Sequence, residues 1–169
     1  DAYNVAVGFN SGQLISTGTN NTIVGGLAGD ALTTGIQNVA IGRSALSAED
    51  TGSASVAVGS FALTTQNYDG NAYNVAVGHD AGKAVTTGLQ NVFVGALAGD
   101  AITTGTSNIA IGYAAMSTAN GSESRNVAIG QFALFAMDAD GNNYNVAIGY
   151  DAGKSVTTGT TNTLIGGLA

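Results

Sequence analysis

The sequence predicts an all-β fold, a parallel β-solenoid built from ten short coils. A five-residue phrase, which reads Asn-Val-Ala-Val-Gly at 74–78, occurs ten times with small variations, and its copies lie 17 to 19 residues apart. A fixed short period along the whole chain is the signature of a solenoid, in which each repeat packs on its neighbours. The copies begin at Asn4, Asn21, Asn38, Ser55, Asn74, Asn91, Asn108, Asn126, Asn145 and Asn162.

The composition supports this fold class and narrows the range of partners. Only 9% of the 169 residues are charged, against about 25% in ordinary globular domains, yet 44% are hydrophobic, which argues against disorder. Four Lys and Arg residues and a net charge of −7 argue against nucleic-acid binding. No apolar run approaches the ~20 residues of a membrane span, so we expect no membrane insertion in this segment.

One coil is predicted to contain two extended pieces and two turns. The phrase at 74–78 reads as a short strand because it is rich in β-branched residues and is bounded by Asn and Gly. A bend follows at 79–82, and the residues at 83–86 read as a second extended piece before the turn at Thr87 and Gly88. Stacking of the ten phrase strands in parallel register at ~4.8 Å per coil predicts a rod of roughly 45 Å.

A longer period groups the coils in fours. Asn4, Asn74 and Asn145 begin equivalent coils, and each fourth coil is lengthened, at 67–73 and at 138–144. The chain therefore reads as a single solenoid segment over 1–169, with units at 4–73 and 74–144 and an incomplete unit at 145–169. With both ends inside the repeat pattern, we expect it to be a fragment of a longer fibre. Lys83 and Asp100 occupy the same position of adjacent coils, which predicts an ion pair between them.

The strands are apolar on both faces, which predicts burial on both. Residues such as Val75 and Val77 point to one face and Ala76 to the other. One face can fill the interior of a coil, and the economical cover for the other is a second copy of the chain. The larger residues at the middle position of the second coils are predicted to form the interface of a homotrimer; they are Ile23, Phe93 and Leu164.

The phrase Asn-Val-Ala-Ile-Gly at 126–130 and 145–149 resembles the head repeat of trimeric autotransporter adhesins, the YadA-like head. The residues at 108–117, preceded by Thr-Thr-Gly at 103–105, also resemble repeats of phage tail fibres. The resemblance implies a left-handed parallel β-roll, three chains side by side and a role in attachment. It implies an extracellular location, on a virion tail fibre or a bacterial cell surface. The coils here are longer than the usual adhesin head coil, which favours the phage-fibre variant.

The turns and lengthened loops are the predicted sites of recognition, because loops on a rigid scaffold usually carry binding residues. Aromatic rings there suit sugar faces, and carboxylates suit hydroxyl groups, a cation or both. The partner predicted from these positions is a cell-surface glycan or protein receptor. The candidate receptor-contact residues are Tyr68, Asp69, Tyr73, Tyr113, Asp138, Asp140, Tyr144 and Tyr150.

Other chemistry has weaker support. Asp138 and Asp140 alternate like half of a calcium loop, but no closing Glu follows, and an outward Asx/Gly turn explains the same residues; no other cofactor is indicated. No Ser/His/Asp constellation can be assembled around His79, the single histidine, so we predict a surface or packing role for it and no enzyme activity. The Thr-Thr-Gly turns leave an ice-binding or other flat-surface-binding solenoid as the alternative to an attachment fibre.

Overall fold

The computed structural model, which describes residues 2–169, contains one three-residue strand in each coil and no helix within that range. Each strand coincides with the three residues between the Asn and the Gly of the repeated phrase. The strands are β1 (Val5–Val7), β2 (Thr22–Val24), β3 (Val39–Ile41), β4 (Val56–Val58), β5 (Val75–Val77), β6 (Val92–Val94), β7 (Ile109–Ile111), β8 (Val127–Ile129), β9 (Val146–Ile148) and β10 (Thr163–Ile165).

The ten strands form one parallel sheet in chain order, from β1 to β10. The register pairs equivalent residues of successive coils, as in Val75 with Val92 and Ala76 with Phe93. The lengthened coils keep this register, since Val56 pairs with Val75 across a 19-residue step. The predicted parallel β-solenoid is therefore confirmed, while the handedness and the trimer remain predictions.

The predicted second extended piece is wrong, because residues 83–86 form no strand and lie mostly in turns and bends. Each coil places several residues in the left-handed region, for example Asp80 at φ 57°, Gly82 at φ 58° and Gln90 at φ 59°. The left-handed conformation departs from the extended one, so the chain turns before and after this segment. The backbone of this segment still bonds to the next coil, with the Ala84 N–H donating to the Asp100 carbonyl at 2.9 Å.

The middle residue of each strand points into the coil, which corrects the predicted trimer interface. Ile23 and Phe93 are 0% exposed in the single chain, so neither has surface left to bury against a partner. Phe93 fills the space left by two glycines across the coil, where a Cβ would lie 2.7 Å from its ring at Gly82 and 2.3 Å at Gly99. Leu164 packs against the same core in the last described coil.

The sizes of facing side chains in the core compensate for one another, both within a coil and between neighbouring coils. Phe93 and Ile23 face glycines, whereas the alanines of the third and fourth coils have a large side chain at the position equivalent to Gly99. In a first coil both positions are small, as with Ala76 and Gly82, and Phe93 and Leu63 of the two neighbouring coils fill the space. Close-packed interiors require such compensation, because both voids and overlaps destabilise. The large residues are Leu46, Leu63, Met116 and Leu134, all 0% exposed.

Candidate binding surface

The outer face of the sheet is a continuous apolar strip, which we call the Val/Ile strip. It consists of the first and third residues of each strand, and all of those in β2 to β9 are half-buried or exposed. Typical members are Val77 at 38% exposure and Ile109 at 36%. The strip is apolar over every coil from β3 to β9, and it has no covering layer within residues 2–169.

Two of the predicted contact tyrosines precede first-coil strands and lie on the surface. Tyr73 and Tyr144 are about half exposed, as a receptor contact requires. The Asn71 side-chain amide donates to the Tyr73 hydroxyl at 3.0 Å, and Arg125 Nη1 donates to the Tyr144 hydroxyl at 2.6 Å. Both tyrosines have positive φ, of 53° and 55°. The same conformation recurs at this position in every coil, so the turn requires it.

The backbone of each lengthened loop is hydrogen-bonded to the preceding coil, so the loops do not project freely from the solenoid. Isolated parallel bridges join Ser53 to Asn71 and Ser124 to Asn142. In the first loop Tyr68 is half-buried and Asp69 is exposed, with the Thr51 hydroxyl donating to the Asp69 carboxylate. Every second residue of each loop remains exposed, as Asp69 and Tyr73 are, while the loop backbones are anchored.

In the second loop, the two carboxylates predicted as half of a calcium loop lie on the surface, and one of them bonds to the preceding coil. Asp138 and Asp140 are both exposed. Asp140 Oδ1 accepts hydrogen bonds from the Ser122 N–H at 3.0 Å and the Ser122 hydroxyl at 3.1 Å, which lower the pKa of the Asp140 carboxyl. Across residues 2–169, no group of three or more Asp, Glu, His or Cys side chains is placed to hold a metal ion.

Tyr113 belongs to an aromatic cluster that sequence reasoning missed, which we call the Phe132 cluster. The Phe132 ring lies 5.5 Å from the Tyr113 ring and 5.4 Å from the Phe135 ring, both edge to face. Lys154 Nζ lies 4.6 Å from the centre of the Phe132 ring and 3.0 Å from Asp151 Oδ2. Tyr150 is exposed on the same coil as Lys154.

An equivalent cluster one unit earlier surrounds Phe61, and we call it the Phe61 cluster. The guanidinium carbon of Arg43 lies 5.0 Å from the centre of the Phe61 ring, Lys83 Nζ lies at 5.6 Å, and the His79 ring is edge-on at 6.3 Å. Lys83 pairs with Asp80 of its own coil at 3.1 Å, so the predicted ion pair with Asp100 is wrong. A three-residue separation across the tight turn brings Asp80 closer.

Both clusters could have been found in the sequence by writing the coils one above another. Arg43, Phe61 and His79 follow one another at steps of 18 residues, and Tyr113, Phe132 and Tyr150 at 19 and 18. Steps near the coil period place such residues on neighbouring coils at similar positions. We call the residues at one position of all the coils a column. The sequence analysis compared residues within a single column, whereas the rings in these clusters come from two adjacent columns.

Sequence reasoning also missed a polar network inside the solenoid. The Glu49 carboxylate is fully buried and accepts hydrogen bonds from the Gly52 N–H at 2.8 Å and from Gln66 Nε2 at 3.0 Å. Gln66 Nε2 also lies 2.9 Å from the Ser55 hydroxyl, and Gln66 Oε1 accepts from the Asn74 side chain. Burial raises the pKa of the Glu49 carboxyl, against the lowering effect of these donors.

The threonine pairs give little support to a flat binding face. In the first three pairs the first hydroxyl turns inward to the next coil, as Thr33 donates to the Asp50 carbonyl at 3.0 Å and Thr86 to the Thr103 carbonyl at 3.2 Å. Only the second threonine of these pairs, such as Thr87, is exposed. Two ordered rows of free hydroxyls are therefore not available on this side of the rod.

These features define a β-solenoid repeat protein with an apolar strip along its sheet and aromatic clusters at its turns. No protein-family model, no curated protein and no solved structure matches the chain. Within the part of the chain that the structure describes, no helix is long and apolar enough to cross a membrane.

Proposed function

We propose that this chain is a shaft or head segment of an extracellular trimeric fibre that serves attachment to a host or surface, as in a phage tail fibre or a bacterial adhesin. Its role in this proposal is structural and not enzymatic. The observation that carries it is the Val/Ile strip, which is uncovered in the single chain and repeats on every coil from β3 to β9. The resemblance of the repeated phrase to adhesin heads and tail fibres supports the same reading.

The strip suits the interface of a homotrimer better than the residues predicted from the sequence. Contiguous apolar surface along a soluble rod marks an interaction site. Three identical rods with parallel axes would bring the three strips together, since rotational symmetry presents the same surface of each copy. Residues such as Val77 and Ile109 would then be buried, and the interior Phe93 would take no direct part.

The receptor-contact side chains lie off the strip in this proposal. Tyr73, Tyr144, Tyr113 and Tyr150 are exposed on the single chain and are available to a cell-surface glycan or protein. The anchored loops at 67–73 and 138–144 hold their side chains on a fixed scaffold, which lowers the entropy that binding must remove.

The experiment compares two double variants that add the same charge. Val77→Lys with Ile109→Lys places lysines on the strip, and Thr87→Lys with Thr104→Lys places them at exposed turn positions. We expect the unmodified protein to sediment at three times the chain mass of 16.6 kDa and to attach to cells when fluorescently labelled. We expect the strip variant to dissociate, because six lysines would meet in a dry interface.

The turn variant serves as the matched control and should remain trimeric. Circular dichroism separates dissociation from unfolding, since both strip positions are more than a third exposed in the single chain and tolerate a long side chain. A folded unmodified protein that sediments as a monomer at micromolar concentration would contradict the trimer. A trimer without attachment to any tested cell surface would reduce the proposal to a passive shaft.

A further inference from the structure

Basic residues are scarce in this chain and concentrate at one place. There are four Lys and Arg residues and one His, against 11 Asp and Glu. Arg43, Lys83 and His79 all lie around the Phe61 ring, at 5.0, 5.6 and 6.3 Å from its centre. An acidic rod thus carries a local group of nitrogen donors on the two coils that flank Phe61, which calls for a specific explanation.

Arg43 is the basic side chain in this group that has no polar partner. Lys83 is paired with Asp80, whose carboxylate also lies 3.7 Å from His79 Nδ1. Among residues 2–169, the Arg43 guanidinium forms no ion pair and donates no hydrogen bond, and it contacts the Phe61 ring. Its five N–H donors are therefore held over a ring and open to a ligand.

The side chains around Arg43 are open to solvent. His79 and Lys83 have side-chain exposures of 60% and 47%, whereas Asp80 is only 12% exposed. The two cations Lys83 and Arg43 and the carboxylate of Asp80 together give the group a net charge of +1 when His79 is neutral. The planar guanidinium fork matches a carboxylate through two parallel hydrogen bonds, and the Arg43 guanidinium carbon lies 5.0 Å from the centre of the Phe61 ring.

The boundary between the second and third units contains the same framework without the guanidinium. Tyr113, Phe132, Tyr150 and Lys154 stand 70 or 71 residues after Arg43, Phe61, His79 and Lys83. The Lys–Asp pair and the cation over the ring are both retained, at 3.0 and 4.6 Å. The framework therefore spans the third, fourth and first coils at each boundary between units, and Arg43 and His79 distinguish the first boundary from the second.

We propose that the Phe61 cluster is a binding site for the carboxylate group of an acidic saccharide. Arg43 would bind the carboxylate bidentately, and His79 and Lys83 would donate to neighbouring oxygens of the sugar. The choice of a saccharide rests on the proposed attachment function, whereas the choice of a carboxylate rests on the geometry of Arg43. The Phe132 cluster would not share this preference.

The test uses a fluorescein-labelled trisaccharide of galacturonic acid and the same trisaccharide with its carboxyl groups reduced to hydroxymethyl groups. Fluorescence anisotropy measures binding to the full chain and to its variants. We expect saturable binding of the acidic form that weakens at least about tenfold in Arg43→Gln, because a charge-assisted bidentate contact is lost. Arg43→Lys should recover only part of the affinity, since it restores the charge without the fork.

Lys154→Gln removes the same charge from the Phe132 cluster and should leave binding of the trisaccharide unchanged. Tyr113→Arg with Tyr150→His should add a second site and double the binding stoichiometry. Thermal unfolding of each variant confirms that the solenoid is intact. If Tyr113→Arg with Tyr150→His does not fold, Arg43→Tyr with His79→Tyr makes the converse change and should abolish binding.

Equal binding of the acidic and reduced trisaccharides would overturn the proposal, as would equal losses in Arg43→Gln and Lys154→Gln or the absence of saturable binding. These outcomes are independent of the attachment assay. Cell attachment that persists in Arg43→Gln would reject this site as the receptor contact while leaving the fibre function standing. Trisaccharide binding by a protein that attaches to no cells would reject the attachment function alone.

Discussion

The glycine that ends each strand is the residue on which the stacking most directly depends. Gly95 has φ 131°, in a region that L residues with a side chain rarely adopt. A Cβ at Gly95 would lie 2.6 Å from the carbonyl oxygen of Gly112 in the next coil. The strand glycines from Gly8 to Gly149 repeat this contact with the glycine of the following coil, so the column allows the coils to approach to strand spacing.

Gly95→Ala should therefore lower the free energy of unfolding by about 3 kcal/mol or more, through backbone strain and the clash with Gly112. Gly26→Ala is the matched control, because Gly26 has no positive φ and an alanine methyl there would have no heavy atom within 4 Å. Denaturant unfolding measures both free energies. Equal free energies of unfolding for Gly95→Ala and Gly26→Ala would contradict the role of the strand glycines in stacking.

At the level of a single coil, each strand is anchored by an asparagine that bonds both along and across the stack. Asn91 Oδ1 accepts the Asn108 N–H of the next coil at 2.9 Å, and Asn91 Nδ2 donates to the Gly105 carbonyl at 2.8 Å. The side chain is fully buried, so these bonds satisfy backbone groups that water cannot reach. The asparagines form a column from Asn4 to Asn162, interrupted at Ser55, where Gln66 supplies the missing donor and acceptor to Ser55 and Asn74.

Asn91→Ala should cost about 3 kcal/mol of unfolding free energy, because the Asn108 N–H and the Gly105 carbonyl lose their side-chain partner inside the solenoid. Gln90→Ala, at the exposed neighbouring position, should have little effect. Its left-handed φ of 59° is compatible with alanine, since Ala54 adopts the same angle in the equivalent position. Thermal or urea unfolding distinguishes the two variants, and similar losses in both would contradict a structural role for the column.

Along the rod as a whole, buried carboxylates make the stability of the protein depend on pH. Desolvation raises the pKa of Glu49 above its ordinary 4.5 and the pKa of Asp100 above 3.8. The second unit also buries a carboxylate, although from a different residue: Ala119 stands where Glu49 does, and the fully buried Glu123 takes the place of Gly52, whose Cβ would meet the Glu49 carboxylate at 2.4 Å.

Acidification from neutral pH should therefore first stabilise the protein. A carboxyl group whose pKa is higher in the folded state binds a proton more tightly there, so its unfavourable charge is removed as pH falls through that pKa towards 4.5 for Glu49 and 3.8 for Asp100. Below about pH 4 the lowered pKa of Asp140 acts in the opposite direction, because protonation then removes its bonds from Ser122.

Melting temperatures measured between about pH 7 and pH 4 test this dependence. Glu49→Gln should reduce the rise on acidification, whatever its effect on stability at neutral pH. Asp138→Asn removes an exposed carboxylate instead and should leave the rise nearly unchanged. A melting temperature that falls steadily on acidification of the unmodified protein would contradict the proposed cost of burying Glu49.

The repeat, the strand positions and the parallel stacking could all be predicted from the periodicity of the sequence. The repeated phrase meets three local requirements. Its Asn provides hydrogen bonds at the start of the strand, its β-branched residues favour the extended conformation, and its Gly ends the strand without a side chain. Because the phrase recurs at the coil period, equivalent residues must stack, and Val75 pairs with Val92 as the repeat predicts. These properties depend on neighbours in sequence or on copies of the same position, so periodicity was sufficient to find them.

The inward face of the strand and the side chains that meet at the turns became known only from the folded chain. Both faces of the strand are apolar, so the choice depended on glycines across the coil: Gly82 and Gly99 leave room for Phe93, and the Val/Ile strip remains outside. The Phe61 cluster depends on the path of the turns, which left-handed residues bend away from the predicted second strand. Contacts between different columns depend on the path of the turns in three dimensions, and the period of the sequence does not determine that path.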